Sequence, residues 1–450
     1  MADRTLQQEK YIRMTTAPVE KLVCCLALPS IVSMMTSALY NMADTYFIGK
    51  ISTEATAAIG IIFPYMAFIQ AVGFFFGHGS GNFISRALGS RDTHGAARMA
   101  ADGFFTAFIF GATLIIPGFI FMDPVLRSLG AIDSVFADAK DYFTYILLAT
   151  PFIMSSLVLN NQMRLQGNAH RGMIGIMTGA FLNIILDPIL IFCFDMGIRG
   201  AAIATAFSQI VGFVVLYIMS GIGDGIKVRW KDFAPSVPAY EEIVAGGLPS
   251  LSRQGCLCLA AVLLNHAAGD YGSSALAAFS ILNRVTMIAS SALIGFGQGI
   301  QPICGFNYGA GLYERVERAF WFCVKLSTTV LIALSVVGFI FSAEIVKFFR
   351  ADDAEVIRIG TLALRMQCVS FPFVGWVTIT NMFLQNIRKT VPATAVAMAR
   401  SGAFFMPVLF ILSYFFGLLG IQLTQPTADI LSFILAVPLG LSALREMKTR

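Results

Sequence analysis

The sequence predicts an all-α integral membrane protein, with twelve transmembrane helices arranged as two pseudo-symmetric six-helix bundles. Three observations carry this expectation. Of 450 residues, 57% are apolar and 13% charged, with a mean hydropathy of +0.75, whereas a soluble domain carries about 25% charged residues. The apolar residues fall in twelve runs, each long enough for the roughly 20 residues that a span requires. The second half of the chain repeats landmarks of the first at a constant spacing. The charge deficit runs through the whole length, so a water-soluble fold could not hide the apolar surface.

Cut at Gly, Pro and charged residues, the spans are expected at 21–48, 54–82, 98–120, 140–163, 172–194, 199–220, 242–267, 275–304, 319–341, 358–387, 392–415 and 420–444. The first follows a polar stretch, Met1 to Met14, and no small-residue cleavage site comes after it. It therefore reads as a retained span and not as a cleaved signal. The longest connection, Gly221 to Glu241, contains Asp224, Lys227, Trp230, Pro235 and Pro238. It separates an N-terminal bundle (1–220) from a C-terminal bundle (242–450), with 221–241 as a cytoplasmic linker.

Basic residues set the orientation, because Lys-rich and Arg-rich loops stay cytoplasmic. Nineteen Lys and Arg, from Arg4 through Arg86, Arg164 and Arg315 to Arg450, fall on the side shared by the termini and the even-numbered loops. Seven (Lys50, Arg127, Lys140, Arg199, Lys347, Arg350 and Arg358) fall on the other. Both termini are expected in the cytoplasm, with the chain in the cell inner membrane.

The halves align with a shift of 220. Leu28-Pro29-Ser30 matches Leu248-Pro249-Ser250, Phe76-Gly77-x-Gly79 matches Phe296-Gly297-x-Gly299, Gly89 matches Gly309, and Gly200 matches Gly420. Pro151-Phe152 meets Pro372-Phe373 with one residue more. Six spans per half make the repeats parallel, a plan that places a substrate site between the bundles near the midplane. The glycines around His78 and Gln298 lie inside spans at equivalent positions, which favours close helix packing over a phosphate loop.

Other chemistries find little support. The net charge of +5 is spread over loops, with no basic stripe for nucleic acid. Cys24-Cys25 and Cys256-x-Cys258 lack zinc-site spacing, and the four His are not paired at i, i+4. No clustered Asp motif suits an intramembrane prenyltransferase. No cofactor or structural metal is expected.

Ionisable residues inside spans are costly and mark functional candidates. The deep acids are Asp44, Asp187 and Asp429, with Asp102 near a span end; the deep bases are Arg253, Arg284, Lys325, Arg365 and Arg400. Asn183 precedes Asp187, and Tyr40 precedes Asp44, by one helical turn on the same face. Thr205 falls at the depth of Asp187. A carboxylate pair with amide and hydroxyl neighbours can hold a proton or coordinate Na⁺; alternatively, these are polar groups that pack helices together. The second half does not repeat the pattern, since Asp44 aligns with Leu264. Its own polar set is Arg253, Arg400 and Asp429, in which an Arg–Asp clamp would neutralise both charges. Met34, Met35, Met66 and Met287 lie near the midplane, where they could line an adaptable apolar cleft.

At Leu182-Asn183-Ile184-Ile185-Leu186-Asp187-Pro188, together with Pro29, Asp44 and Gly200-Ala201-Ala202-Ile203-Ala204-Thr205, the chain resembles the multidrug and toxic compound extrusion (MATE) family. It is most similar to the bacterial branch whose acids lie in the N-terminal lobe. The resemblance covers essentially the whole chain. It implies an antiporter that exports amphipathic, often cationic, compounds by alternating access, driven by H⁺ or Na⁺; a monomer is expected. Asp44, Asn183, Asp187 and Thr205 match that family's N-lobe cation site, Tyr40 lies beside it, and Asn160 matches a span 4 amide of the same network. Another branch carries acids in spans 7 and 10, where this chain offers only Arg253, Gln254, Gln367 and Asn381. A flippase of lipid-linked sugars or related amphipathic lipids is the alternative function.

Overall fold

The computed structural model describes residues 2–223, 225–350 and 353–449. Asp224 of the central loop and Arg450 of the C-terminal basic cluster lie outside the described residues, as does the side chain of Arg4. Twelve helices are long and apolar enough to span a bilayer. They are α1 (Val19–Ile48), α2 (Glu54–Gly89), α3 (Thr93–Ile120), α4 (Asp133–Leu165), α5 (Ala169–Cys193), α6 (Gly197–Ser220), α7 (Val237–Gly269), α8 (Ser273–Gly309), α9 (Tyr313–Ile340), α10 (Ala354–Asn386), α11 (Thr390–Phe416) and α12 (Leu418–Lys448).

Several helices outrun their expected edges, because capping and not hydropathy ends them. Asp92 accepts from Gly95 N at 2.8 Å to open α3, and Asp353 accepts from Val356 N at 3.1 Å to open α10. Such caps satisfy backbone N–H groups left over at a helix start. An additional helix, Ala2–Thr16, precedes α1. It docks on the bundle through the carbonyl of Met14, which accepts from Asn307 at 3.2 Å. Short helices Met122–Ser128 and Ser342–Phe349 follow α3 and α9 at equivalent repeat positions. The central loop is tied down by Asp102, only 1% exposed, which accepts the Ala234 N–H at 2.9 Å.

The cores are not divided cleanly at the central loop. One is built from α2 to α6 and takes in Ile243 of α7; another is built from α8 to α12 and takes in Val19, Leu22, Val23 and Leu26 of α1. At the end that carries the termini, each half thus receives the first turns of the other half's leading helix. Glycine permits the close approach there. A Cβ on Gly89 would strike the Phe306 carbonyl, and one on Gly309 would strike that of Arg86. Residues 86 and 306, like 89 and 309, differ by the repeat shift, so the contacts are pseudo-two-fold mates.

Toward the opposite end the halves splay apart. A helix covered on one side buries every third or fourth residue, yet no residue from Leu251 to Leu259 on α7, or from Leu282 to Ala292 on α8, is buried. On α1 only Ala38 is buried between Ser33 and Asp44. The seam is therefore closed at the termini-bearing end and open above a floor near Ser33, Ser250 and Leu293.

Candidate functional site

Above that floor, α1, α4, α5 and α6 converge on a buried polar cluster within the first six spans. Asp187 is fully buried, Asn183 and Thr205 are 1% exposed, and Asp44 is 9% exposed. Asn183 Nδ2 donates to Asp187 Oδ1 at 3.2 Å and lies 3.3 Å from Thr205 Oγ1. The Asp44 and Asp187 carboxyls face each other at hydrogen-bonding range. Both carboxylates are acceptors when ionised, so a shared proton or cation would relieve their repulsion.

Local chain chemistry holds the cluster in place. Asp187 precedes Pro188, after which α5 relaxes into a π-turn over Ile189–Cys193. Such turns are rare and cluster at functional sites. Gly200 at the start of α6 lies against the Leu190 backbone, where any side chain would collide. This approach brings Thr205 level with Asn183.

Three acceptor oxygens in the cluster, Asp44 Oδ1, Asp187 Oδ2 and Asn183 Oδ1, are buried with no hydrogen-bond donor among the described residues. Unpaired buried acceptors are costly. Together with the Thr205 hydroxyl they form an all-oxygen set that suits a proton or a hard cation such as Na⁺. The described residues contain no group of three or more His, Cys, Asp or Glu that could hold a metal.

The structure brings Asp44, Asn183, Asp187, Thr205 and Tyr40 together and adds two groups that the sequence reading missed. Tyr142 of α4 lies beside Thr205, and Gln209 of α6 lies beside Tyr40. Gln209 stands four residues after Thr205, so the same turn-spacing argument that linked Asn183 to Asp187 reaches it. Asn160 is not brought to the cluster. Its amide lies beside Gly172, fifteen residues before Asp187 on α5, which at about 1.5 Å per residue is roughly 22 Å along the axis. Met34, Met35 and Met66 are half-buried and Met287 is 39% exposed; Met66 packs on the first core.

The second half holds a counterpart of opposite character. Asp429, fully buried, accepts from Arg400 Nε at 2.7 Å, Gln425 at 2.9 Å, Gln367 at 2.9 Å and Ser370 at 2.8 Å. The repeat shift carries Thr205 onto Gln425 and Gln209 onto Asp429. Both Asp429 oxygens are satisfied, and Arg400 sits in a π-turn, Ala399–Ala403. Arg253 belongs elsewhere, one turn beyond Ser250 on α7.

The family pattern described as MatE matches residues 29–189 and again 249–411, two stretches whose starts are offset by the same 220 residues as the internal repeat. The chain belongs to the MatE family. MatE proteins are membrane transporters and not enzymes, and this chain is accordingly a transporter. It is 28% identical over 422 residues to the multidrug export protein MepA of Staphylococcus aureus (strain N315), covering 92% of each chain. The MepA of Staphylococcus haemolyticus (strain JCSC1435) is 25% identical over 434 residues, covering 96% of this chain and 95% of the relative. Among solved structures, a MATE in complex with MaL6 superposes with a TM-score of 0.92 at 25% identity, over 98% of this chain and 99% of that one. An outward-facing multidrug resistance MATE family transporter superposes with a TM-score of 0.91, also at 25% identity and the same coverage.

In this MatE chain the closed end of the seam carries a polar network across the two halves. Arg164 of α4, 3% exposed, is buried in the seam, although the sequence reading counted it as a loop base. It donates to Gln301 Oε1 at 2.5 Å and to Asn161 Oδ1, and lies 3.1 Å from His78 Nε2. Because Nε2 faces a guanidinium donor, the imidazole hydrogen belongs on Nδ1, 3.1 Å from Ser250 Oγ. Gln385 donates to Ser250 Oγ at 2.8 Å. At the termini-bearing surface, Glu242 pairs with both Arg86 (2.7 Å) and Arg388 (2.8 Å).

Proposed function

We propose that this transporter is a cation-coupled exporter of amphipathic, often cationic, compounds, driven by H⁺ or Na⁺ entering at Asp44 and Asp187. The observation that carries the reading is the trio of buried acceptors without donors, which calls for a cation at the place where two carboxyls meet. Loading the site removes the repulsion between Asp44 and Asp187 and draws α1 toward α5; emptying it releases α1. Because α1 is rooted in the other half's core at its far end, a change in its packing biases the two halves between their arrangements. Coupling requires that drug and ion bind the two arrangements with different affinity.

The similarity to MepA, a multidrug export protein, supports drugs as substrates. The likeness to an outward-facing MATE structure supports reading the splayed end as the outer one. Removing Arg164 from the nineteen leaves eighteen loop bases against seven, which still supports cytoplasmic termini in the cell inner membrane. One chain contains both walls of the cleft, so a monomer suffices.

Transport in proteoliposomes, with a pH gradient and a sodium gradient imposed separately, tests the reading. Asp44→Asn and Asp187→Asn are expected to insert and fold but to lose gradient-driven ethidium efflux. Wild-type rates in both variants would overturn the assignment and return these acids to a packing role.

A further inference from the structure

Arg253 occupies an unusual position. It is a charged residue in the interior of a span, half-buried, and forms no hydrogen bond or ion pair among the described residues. Every neighbouring charge has the same sign. Arg253 lies within electrostatic reach of Arg164 and His78, and the two terminal nitrogens of Arg164 meet neutral partners alone.

Geometry places it where a solute can reach it. Ser250 is the last buried residue on α7 before the seam opens, and its hydroxyl touches His78. Arg253 stands one turn farther on the same face, directly above the closed network. Below it, two buried donors, Arg164 Nε and Gln301 Nε2, have no acceptor. Nearby, Gln298 Nε2 meets only the Met34 sulfur at 3.8 Å. The floor of the cleft is thus rich in donors and carries two guanidinium groups with no acid.

We propose that the cleft floor is a binding site for a carboxylate-sized anion, with Arg253 as its anchor and the Arg164–His78–Gln301 network as its supporting base. A guanidinium presents a planar fork that suits a carboxylate in bidentate geometry, and a half-dry site strengthens that contact. The anion is either the carboxylate of an amphipathic substrate or a free ion from solution. The substrate version extends the exporter reading to zwitterionic and acidic amphipaths, and in that form it rests on the cleft being a substrate path.

A matched pair of dyes separates these sources. Rhodamine 110 carries a free carboxyl group, and rhodamine 123 is its methyl ester on the same cationic scaffold. Binding to the purified full-length protein is measured by fluorescence polarisation with no ion gradient, so that a failure of coupling at Asp44 or Asp187 does not enter the result. The acid is expected to bind more tightly than the ester. Arg253→Gln is expected to weaken the acid by about tenfold, the effect of one charge-assisted contact, and to leave the ester unchanged. Arg253→Lys is expected to retain part of the preference, and sodium acetate to displace the acid.

If the two dyes never differ but acetate raises the melting temperature of the wild type and not of Arg253→Gln, the occupant is a free anion. Equal weakening of both dyes, or no effect of Arg253→Gln on either the dyes or the acetate response, overturns the site. Should Arg253→Gln fail to fold, acetate competition in the unaltered protein decides, and failure to displace the acid overturns the site.

Discussion

Arg400 Nε donates to Asp429 Oδ1 at 2.7 Å, and the repeat shift of 220 places Asp429 opposite Gln209, beside the carboxyl pair of the first half. The two halves therefore carry equivalent polar pockets with opposite charge balance. The second is neutralised from within by a guanidinium; the first leaves its acceptors open. This asymmetry is what supports the proposal that the driving ion enters in the first half.

Breaking the Arg400–Asp429 pair is expected to destabilise the protein. Removing one partner of a buried pair costs about 3 to 5 kcal/mol, and the lower end applies because the Arg400 side chain is 27% exposed. Arg400→Met and Asp429→Leu are each expected to lower the melting temperature, while the double variant recovers most of the loss. Strictly additive losses would show that the pair does not act as a unit.

Asn183 serves both Asp187 and Thr205 through one amide nitrogen. Asn183→Ala is expected to reduce gradient-driven efflux by about tenfold, on the order of one hydrogen bond to a charged group. Efflux remains above that of Asp187→Asn, since both carboxyls survive. The check is the driving-ion concentration for half-maximal transport, which should rise in Asn183→Ala.

Gly79 lies against the Ile243 backbone at the closed end of the seam. Gly79→Val is expected to force α2 from α7, an overpacking cost of about 1 to 3 kcal/mol, and to loosen the closed arrangement. Ser85, fully buried, donates to the Pro302 carbonyl at 3.2 Å across the same seam. Maleimide labelling of Ser85→Cys, in a background without other cysteines, should accelerate when Gly79→Val is added. An unchanged rate would mean that the seam absorbs the extra methyl groups.

Asp353 lies just before α10, outside the span. Its carboxylate is held below the usual aspartate range, first by the Val356 N–H and then by the Ser274 hydroxyl and the Glu355 N–H. A depressed carboxylate stabilises the folded form above its ordinary pKa of about 3.9 and loses that contribution as pH falls below it. Protection of the Glu355 and Val356 amides, taken relative to the intrinsic exchange rate at each pH, is expected to fall on acidification through that window. In Asp353→Asn it should show no such step.

The sequence made the membrane architecture legible. Transfer free energy depends on local composition, so twelve apolar runs, their parity and the repeat can be read without knowing a single contact. Asp187, Asn183 and Thr205 were legible for a related reason: one turn of helix and an equal depth from the span ends place them together. Tyr142 stayed hidden because it comes from a fourth helix, and a tyrosine in an apolar run carries no directional signal. Asn160 was misplaced because kinship of motif says nothing about axial height.

What one dimension could not supply is which helices cross. Arg164 counts as a loop base by position, yet the last turn of α4 swings beneath His78 and Gln301 and buries it. Arg253 and Arg400 are equivalent in sequence terms, as bases inside spans. Only the packing of α12 against α10 and α11 gives Arg400 an acid, while the opening above Ser250 leaves Arg253 none. Hydropathy and period are properties of each helix alone, and they set the number and approximate extent of the spans. Charge pairing is a property of the gaps between helices, which exist only once the two halves have packed.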